Sequence, residues 1–118
     1  KVIRASDSAV PGLVKVGDAA LEARSVYGRV GDSLVVCIRA SDVIVATHRP
    51  TGLSARNVLQ ANLVKLDRAG NRNLAYFELG VELIVEVTNS AVEELGLQPG
   101  LEAYLVIKSN AVRVFNPK

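Results

Sequence analysis

Within nine residues, Thr51-Gly-Leu-Ser-Ala-Arg-Asn-Val-Leu59 gathers a turn glycine, a hydroxyl, a guanidinium and a side-chain amide, then enters an apolar segment. On an extended strand Ser54 and Arg56 point to one face, because side chains two apart share a side. A hydroxyl beside a rigid five-donor guanidinium suits a compact oxyanion. The same spacing also describes an edge strand with ordinary solvated polar residues, and short patterns of this kind arise easily by chance.

The rest of the 118 residues must build a frame for these groups. Hydrophobic residues make up 49% but aromatics only 4%, so the core is to be made from Val, Leu, Ile and Ala. That β-branched bias leans to strands. Net charge is +2 with both signs interspersed, which implies no polyelectrolyte partner. Clustered basic residues with stacking aromatics are lacking, which argues against nucleic acid. Cys37 is alone, so no disulfide framework exists and a reducing, cytoplasmic compartment fits. It lies in Leu34-Val-Val-Cys-Ile38, which predicts a small buried apolar side chain. No apolar run approaches the roughly 20 residues of a membrane span, and no signal peptide opens the chain. The absence of Met and the start in Lys1-Val-Ile read as a piece cut from something longer. His48 has no metal-binding neighbour at a suitable spacing and reads as a linker residue.

Turn signals divide the chain into short strands: 1–6, 13–16, 20–26, 34–39, 43–45, 58–66, 74–79, 81–87, 101–107 and 112–115. Ser8-Ala-Val-Pro-Gly12 predicts a turn and Asp67-Arg-Ala-Gly-Asn71 a hairpin loop. The one helix is expected at Ser90-Ala-Val-Glu93, which fits a capping box, with Gly96 as its stop. Thr88 and Ser90 both offer cap hydroxyls.

Ile38-Arg-Ala-Ser-Asp-Val-Ile-Val45 aligns with Ile107-Lys-Ser-Asn-Ala-Val-Arg-Val114, so residue 38 falls on residue 107, 69 positions later. The same spacing sets Gly31 on Gly100 and Leu34–Cys37 on Ala103–Val106. One shared spacing across this stretch points to an internal repeat. Many short strands, regular turns and one small helix predict an all-β protein of two OB-like Greek-key barrels. Residues 1–50 would form a first, degenerate unit and 51–118 a second. Arg39, the counterpart of Lys108, lacks a matching Ser-Ala-Arg-Asn segment in the first half and reads as structural.

Ser54-Ala-Arg-Asn-Val-Leu59, Val87-Thr88, Glu94-Leu-Gly-Leu-Gln-Pro-Gly100 and Ile107-Lys-Ser109, in this order and spacing, resemble the molybdate-binding Mop domain. Ile38-Arg-Ala-Ser-Asp-Val43 resembles the first half of the tandem Mop (TOBE) region that ends the ATP-binding subunit of molybdate importers. The resemblance covers residues 52–115 well and 1–45 more weakly. It implies an anion shell from Ser54, Ala55, Arg56, Asn57, Lys108 and Ser109, often shared between subunits. It implies molybdate or tungstate as ligand, no cofactor and no catalytic residue. The partners implied are a second copy of the chain, an ATPase domain and a membrane permease, at the cytoplasmic face. The sequence has no Gly-x-x-x-x-Gly-Lys-Ser/Thr loop, so this stretch is no ATPase by itself. The competing readings are a stand-alone oxyanion store, a ligand-free subunit-pairing module and, for want of strand aromatics, least of all an oligonucleotide-binding barrel.

Overall fold

The computed structural model describes residues 2–4, 12–24, 26–70 and 72–115. The turn expected at 8–12 lies outside them apart from Gly12, as does Asn71 of the expected 67–71 loop. Among the described residues the fold is all-β. Its strands are β1 (Val2–Arg4), β2 (Gly12–Val16), β3 (Ala19–Ala23), β4 (Val35–Cys37), β5 (Ile44–Ala46), β6 (Asn57–Ala69), β7 (Arg72–Glu78), β8 (Glu82–Val87), β9 (Glu102–Ile107) and β10 (Arg113–Phe115). One helix, α1 (Asn89–Leu95), joins β8 to β9, and 3-10 turns occupy Ala40–Asp42 and Ser109–Ala111. The strands form OB-like antiparallel sheets in the orders β1-β2-β3, β10-β4 and β5-β9-β6-β7-β8.

The period-2 pattern explains the central strands. On β6 Asn57, Leu59, Ala61 and Leu63 are buried, while Gln60, Asn62 and Val64 are exposed. A register shift between Leu63 and Lys65 interrupts the β6–β7 ladder, and the pairing then runs on to Ala69↔Arg72, further than the sequence pattern reached. Asn73, Ala75 and Phe77 are the inward residues of β7. Phe77, Leu63, Leu105 and Ile107 meet Val14, Leu21 and Val26 in one core, so residues from both ends of the chain share one interior.

Strands of the two halves also pair across. β4 joins β10 through Val35↔Phe115, Val36↔Val114 and Cys37↔Arg113, and β5 joins β9 through Ile44↔Val106, Val45↔Leu105 and Ala46↔Tyr104. At the 69-residue spacing Ile44 corresponds to Arg113 and Val106 to Cys37, so the second ladder is the first one made again with the halves exchanged. The 3-10 turns obey the same spacing. Their entry residues share one extended backbone, φ −68°, ψ 136° at Arg39 and φ −71°, ψ 145° at Lys108.

The β2–β3 and β7–β8 turns meet back to back. Asp18 N–H donates to the Leu79 carbonyl at 2.9 Å. A Cβ on Gly17 would stand 2.6 Å from that same oxygen, and one on Gly80 would stand 2.6 Å from the Asp18 nitrogen. Both positions also have positive φ, 58° and 88°. Only glycine fits such a contact.

Two expectations are corrected. The run Leu34–Arg39 reads as a buried strand with Cys37 inside it, but Cys37 and Val35 are exposed and only Val35–Cys37 is a strand. The cause is coverage. β9 lies between β5 and β6, whereas β4 has β10 alone beside it among the described residues. The helix cap moves as well. Thr88, not Ser90, is the N-cap, its hydroxyl accepting from Ala91 N–H at 3.2 Å, because Thr88 is the residue still in extended conformation. The stop at Gly96 stands. It adopts φ 64°, and Leu97 N–H reaches the Val92 carbonyl at 3.0 Å, closing a Schellman turn over two buried side chains. No helix among the described residues is long and apolar enough to cross a membrane.

Candidate functional site

Lys108 leaves the end of β9 and enters the second 3-10 turn, where the Ala111 N–H closes onto its carbonyl at 3.0 Å. Asp42 ends the first 3-10 turn, its N–H donating to the Arg39 carbonyl at 2.9 Å. Ser54 and Ala55 sit in the segment that leads into β6. That segment is tied down at its start by Arg49, whose guanidinium lies 5.9 Å from the centre of the Tyr104 ring on β9.

These pieces converge. Ser54, Ala55 and Lys108 line one cleft of about 350 Å³ together with Asp42, Asn110 and Ala111, and Ile44, Leu53 and Val106 supply its aliphatic wall. The volume is at the lower end of the roughly 300–1,000 Å³ usual for small-ligand sites. Lys108 offers three donors on a full positive charge, Ser54 a hydroxyl and Asn110 an amide. That set is complementary to a small anion, with aliphatic walls that lower the local dielectric and strengthen each polar contact.

The other residues singled out in the sequence lie beside the cleft. The Arg56 guanidinium folds back on its own loop, Nε donating to the Ser54 carbonyl at 3.2 Å and Nη2 to the Leu53 carbonyl. It therefore fixes the shape of the segment that carries Ser54. Asn57 is buried, its Oδ1 accepting from Glu22 N–H at 2.7 Å and its Nδ2 donating to the Glu22 carbonyl at 2.9 Å. This pair of hydrogen bonds across 35 residues docks the start of β6 on β3. Ser109 is half-buried at the head of its turn, where its carbonyl accepts from Val112 N–H at 3.3 Å. Asp42 and Asn110 were not singled out. The signal that points to them is the repeated strand–turn–strand pattern, since both occupy its 3-10 turns.

A larger cleft of about 600 Å³ opens near the paired glycine turns. Asp18, Glu78 and Glu102 line it, with Gln60 and Asn62 and no lysine or arginine. Three carboxylates repel an anion, so charge favours the smaller cleft over the larger one. Among the described residues no group of three or more His, Cys, Asp or Glu is placed to hold a metal ion.

Comparison with known proteins gives a consistent picture. The TOBE domain family matches residues 53–114. The molybdenum import ATP-binding protein ModC of Rhizobium meliloti (strain 1021) is 32% identical over 102 residues, covering 85% of this chain and 29% of the relative. ModC of Granulibacter bethesdensis is 38% identical over 96 residues, covering 74% and 26%. The molybdate/tungstate import ATP-binding protein WtpC of Pyrococcus abyssi is 32% identical over 92 residues, covering 77% and 25%. The chain thus spans less than a third of the length of these curated relatives. Among solved structures, the cytoplasmic molybdate-binding protein ModG, in a form with molybdate bound, matches with a TM-score of 0.84 and 29% identity over 98% of this chain and 92% of that one.

Proposed function

The chain belongs to the TOBE domain family, and from that premise we propose that it binds molybdate or tungstate as a regulatory and pairing domain of an importer's ATP-binding subunit. The observation that carries this reading is the meeting of Ser54, Ala55 and Lys108 in one small cleft, although they are far apart in the sequence. Lys108 balances part of the charge of a tetrahedral dianion, and the Ser54 hydroxyl and backbone N–H groups each serve an oxygen. Arg56, Asn57 and Ser109 complete the proposed shell, Arg56 and Asn57 by fixing the loop and the strand that present Ser54. No group in this arrangement transfers a proton, so the role is binding and not catalysis.

On the same reading residues 1–50 and 51–118 are two Mop-type units, and the reciprocal β4–β10 and β5–β9 ladders support that division. Two copies of the chain pair with the anion site near their interface, beside an ATPase domain and a membrane permease on the cytoplasmic side. The likeness to ModG over nearly the whole chain supports a second reading, a stand-alone oxyanion-binding protein. A native mass showing a closed oligomer with bound anions favours the second.

The test is thermal unfolding with molybdate, tungstate and sulfate at matched ionic strength. A ligand at roughly 100 times its dissociation constant adds about 2.7 kcal/mol, or several degrees. Molybdate and tungstate are expected to raise Tm, sulfate to leave it unchanged, and Lys108→Ala to abolish the shift. No shift with any anion, or a full shift in Lys108→Ala, overturns the proposal.

A further inference from the structure

The cleft contains one carboxylate for which oxyanion binding has no use. Asp42 lines it together with Ser54 and Lys108, while Ala111, its equivalent at the 69-residue spacing, lines the same cleft with only a methyl group. Asp42 and Lys108 are both exposed and form no ion pair with each other. Neither charge is cancelled by contact, so both act on an anion in the cleft. Arg39 opens the same turn, and β8, which packs against the turn, carries Glu82 and Glu86, the latter held by Arg72 at 3.1 Å.

Resting on the oxyanion reading above, we propose that Asp42 is a charge-selecting residue of this cleft. Its carboxylate weakens occupancy by doubly charged tetrahedral anions and sets the cleft to fill only when the anion is abundant. Coulomb repulsion scales with ligand charge, so a dianion is disfavoured twice as strongly, in free energy, as a monoanion of the same shape. Removing the carboxylate charge tightens a dianion by roughly three- to tenfold at physiological salt, and a monoanion by roughly the square root of that factor.

Calorimetric titration of the 118-residue chain tests this with molybdate and with perrhenate, a tetrahedral monoanion of similar size. The proteins compared are wild type, Asp42→Asn, Asp42→Glu and Lys108→Ala, at neutral pH and fixed ionic strength. The expected result is tighter molybdate binding in Asp42→Asn, a smaller gain for perrhenate, and near wild-type affinity in Asp42→Glu. Molybdate binding by Asp42→Asn alone also supports the inference. Unchanged molybdate affinity in Asp42→Asn overturns it and leaves the oxyanion reading standing, as does an equal gain for both anions, which marks a steric effect. Absence of molybdate binding in both wild type and Asp42→Asn overturns the oxyanion reading and this inference with it.

Discussion

The two halves of the molecule share one strand–turn–strand pattern but differ in how well they cover it. β9 lies between β5 and β6, and its Ala103, Leu105 and Ile107 are buried. β4, its counterpart, pairs with β10 alone among the described residues, and Leu34, Val36 and Ile38 are half-buried. A cleft of about 410 Å³ opens along these three side chains. The same local pattern is therefore a core strand in one place and a thinly covered ribbon in the other. Burial is decided by neighbours, not by the strand itself.

The halves also differ in chemistry. Each has a 3-10 turn entered by a basic residue, Arg39 or Lys108. Only Lys108 shares a cleft with Ser54 and Ala55. The first half contributes instead an acidic group, Asp42, to that same cleft. One half thus brings a cationic side chain to the cleft and the other an anionic one.

Substitution at equivalent positions sharpens the comparison. Leu105 is fully buried, and Leu105→Ala removes core volume at a cost of about 2–5 kcal/mol. Val36, its equivalent, is half-buried, so Val36→Ala should cost about 1 kcal/mol or less. Urea unfolding of both variants measures the difference. Equal losses would show that the β4 ribbon is as well packed as β9 and that the two halves do not differ in coverage.

A smaller effect is expected where the halves are stitched together. Asn57→Ala leaves the Glu22 N–H and carbonyl without their side-chain partner and should cost about 1–3 kcal/mol. Ser54→Ala, at an exposed position, should stay within about 0.5 kcal/mol. Chemical denaturation without anion compares them. A loss at Asn57 no larger than at Ser54 would mean that the shared core alone holds β6 to β3.

Much of this architecture is legible from residue order. The alternation in Val58–Leu66, the apolar run 101–107 and the glycine stop at Gly96 each follow from local rules that act over a few residues. The repeat is legible too, because ladder partners and 3-10 turns keep the 69-residue spacing. What local order does not contain is the coverage of each strand. Cys37 sits in a run as apolar as its counterpart but, among the described residues, has one strand beside it where the counterpart has two. Thr88 and Ser90 carry equivalent hydroxyls, and the backbone conformation of Thr88 decides between them.

The site shows the same limit. Ser54, Ala55 and Lys108, grouped in the sequence only through the family resemblance, line one cleft. Asn57 looks like an anion donor in its own segment, yet its amide is committed to a backbone 35 residues away. Asp42 looks like an ordinary turn residue until the fold brings it to the cleft. Both roles depend on contacts between the halves, which no local pattern encodes.

Whether this cleft is the oxyanion site is tested most directly by crystals grown with tungstate and measured at the tungsten absorption edge. An anomalous peak is expected in the cleft, within hydrogen-bond reach of Ser54 and Lys108. A peak at another place on the molecule, or none at saturating tungstate, would contradict the assignment.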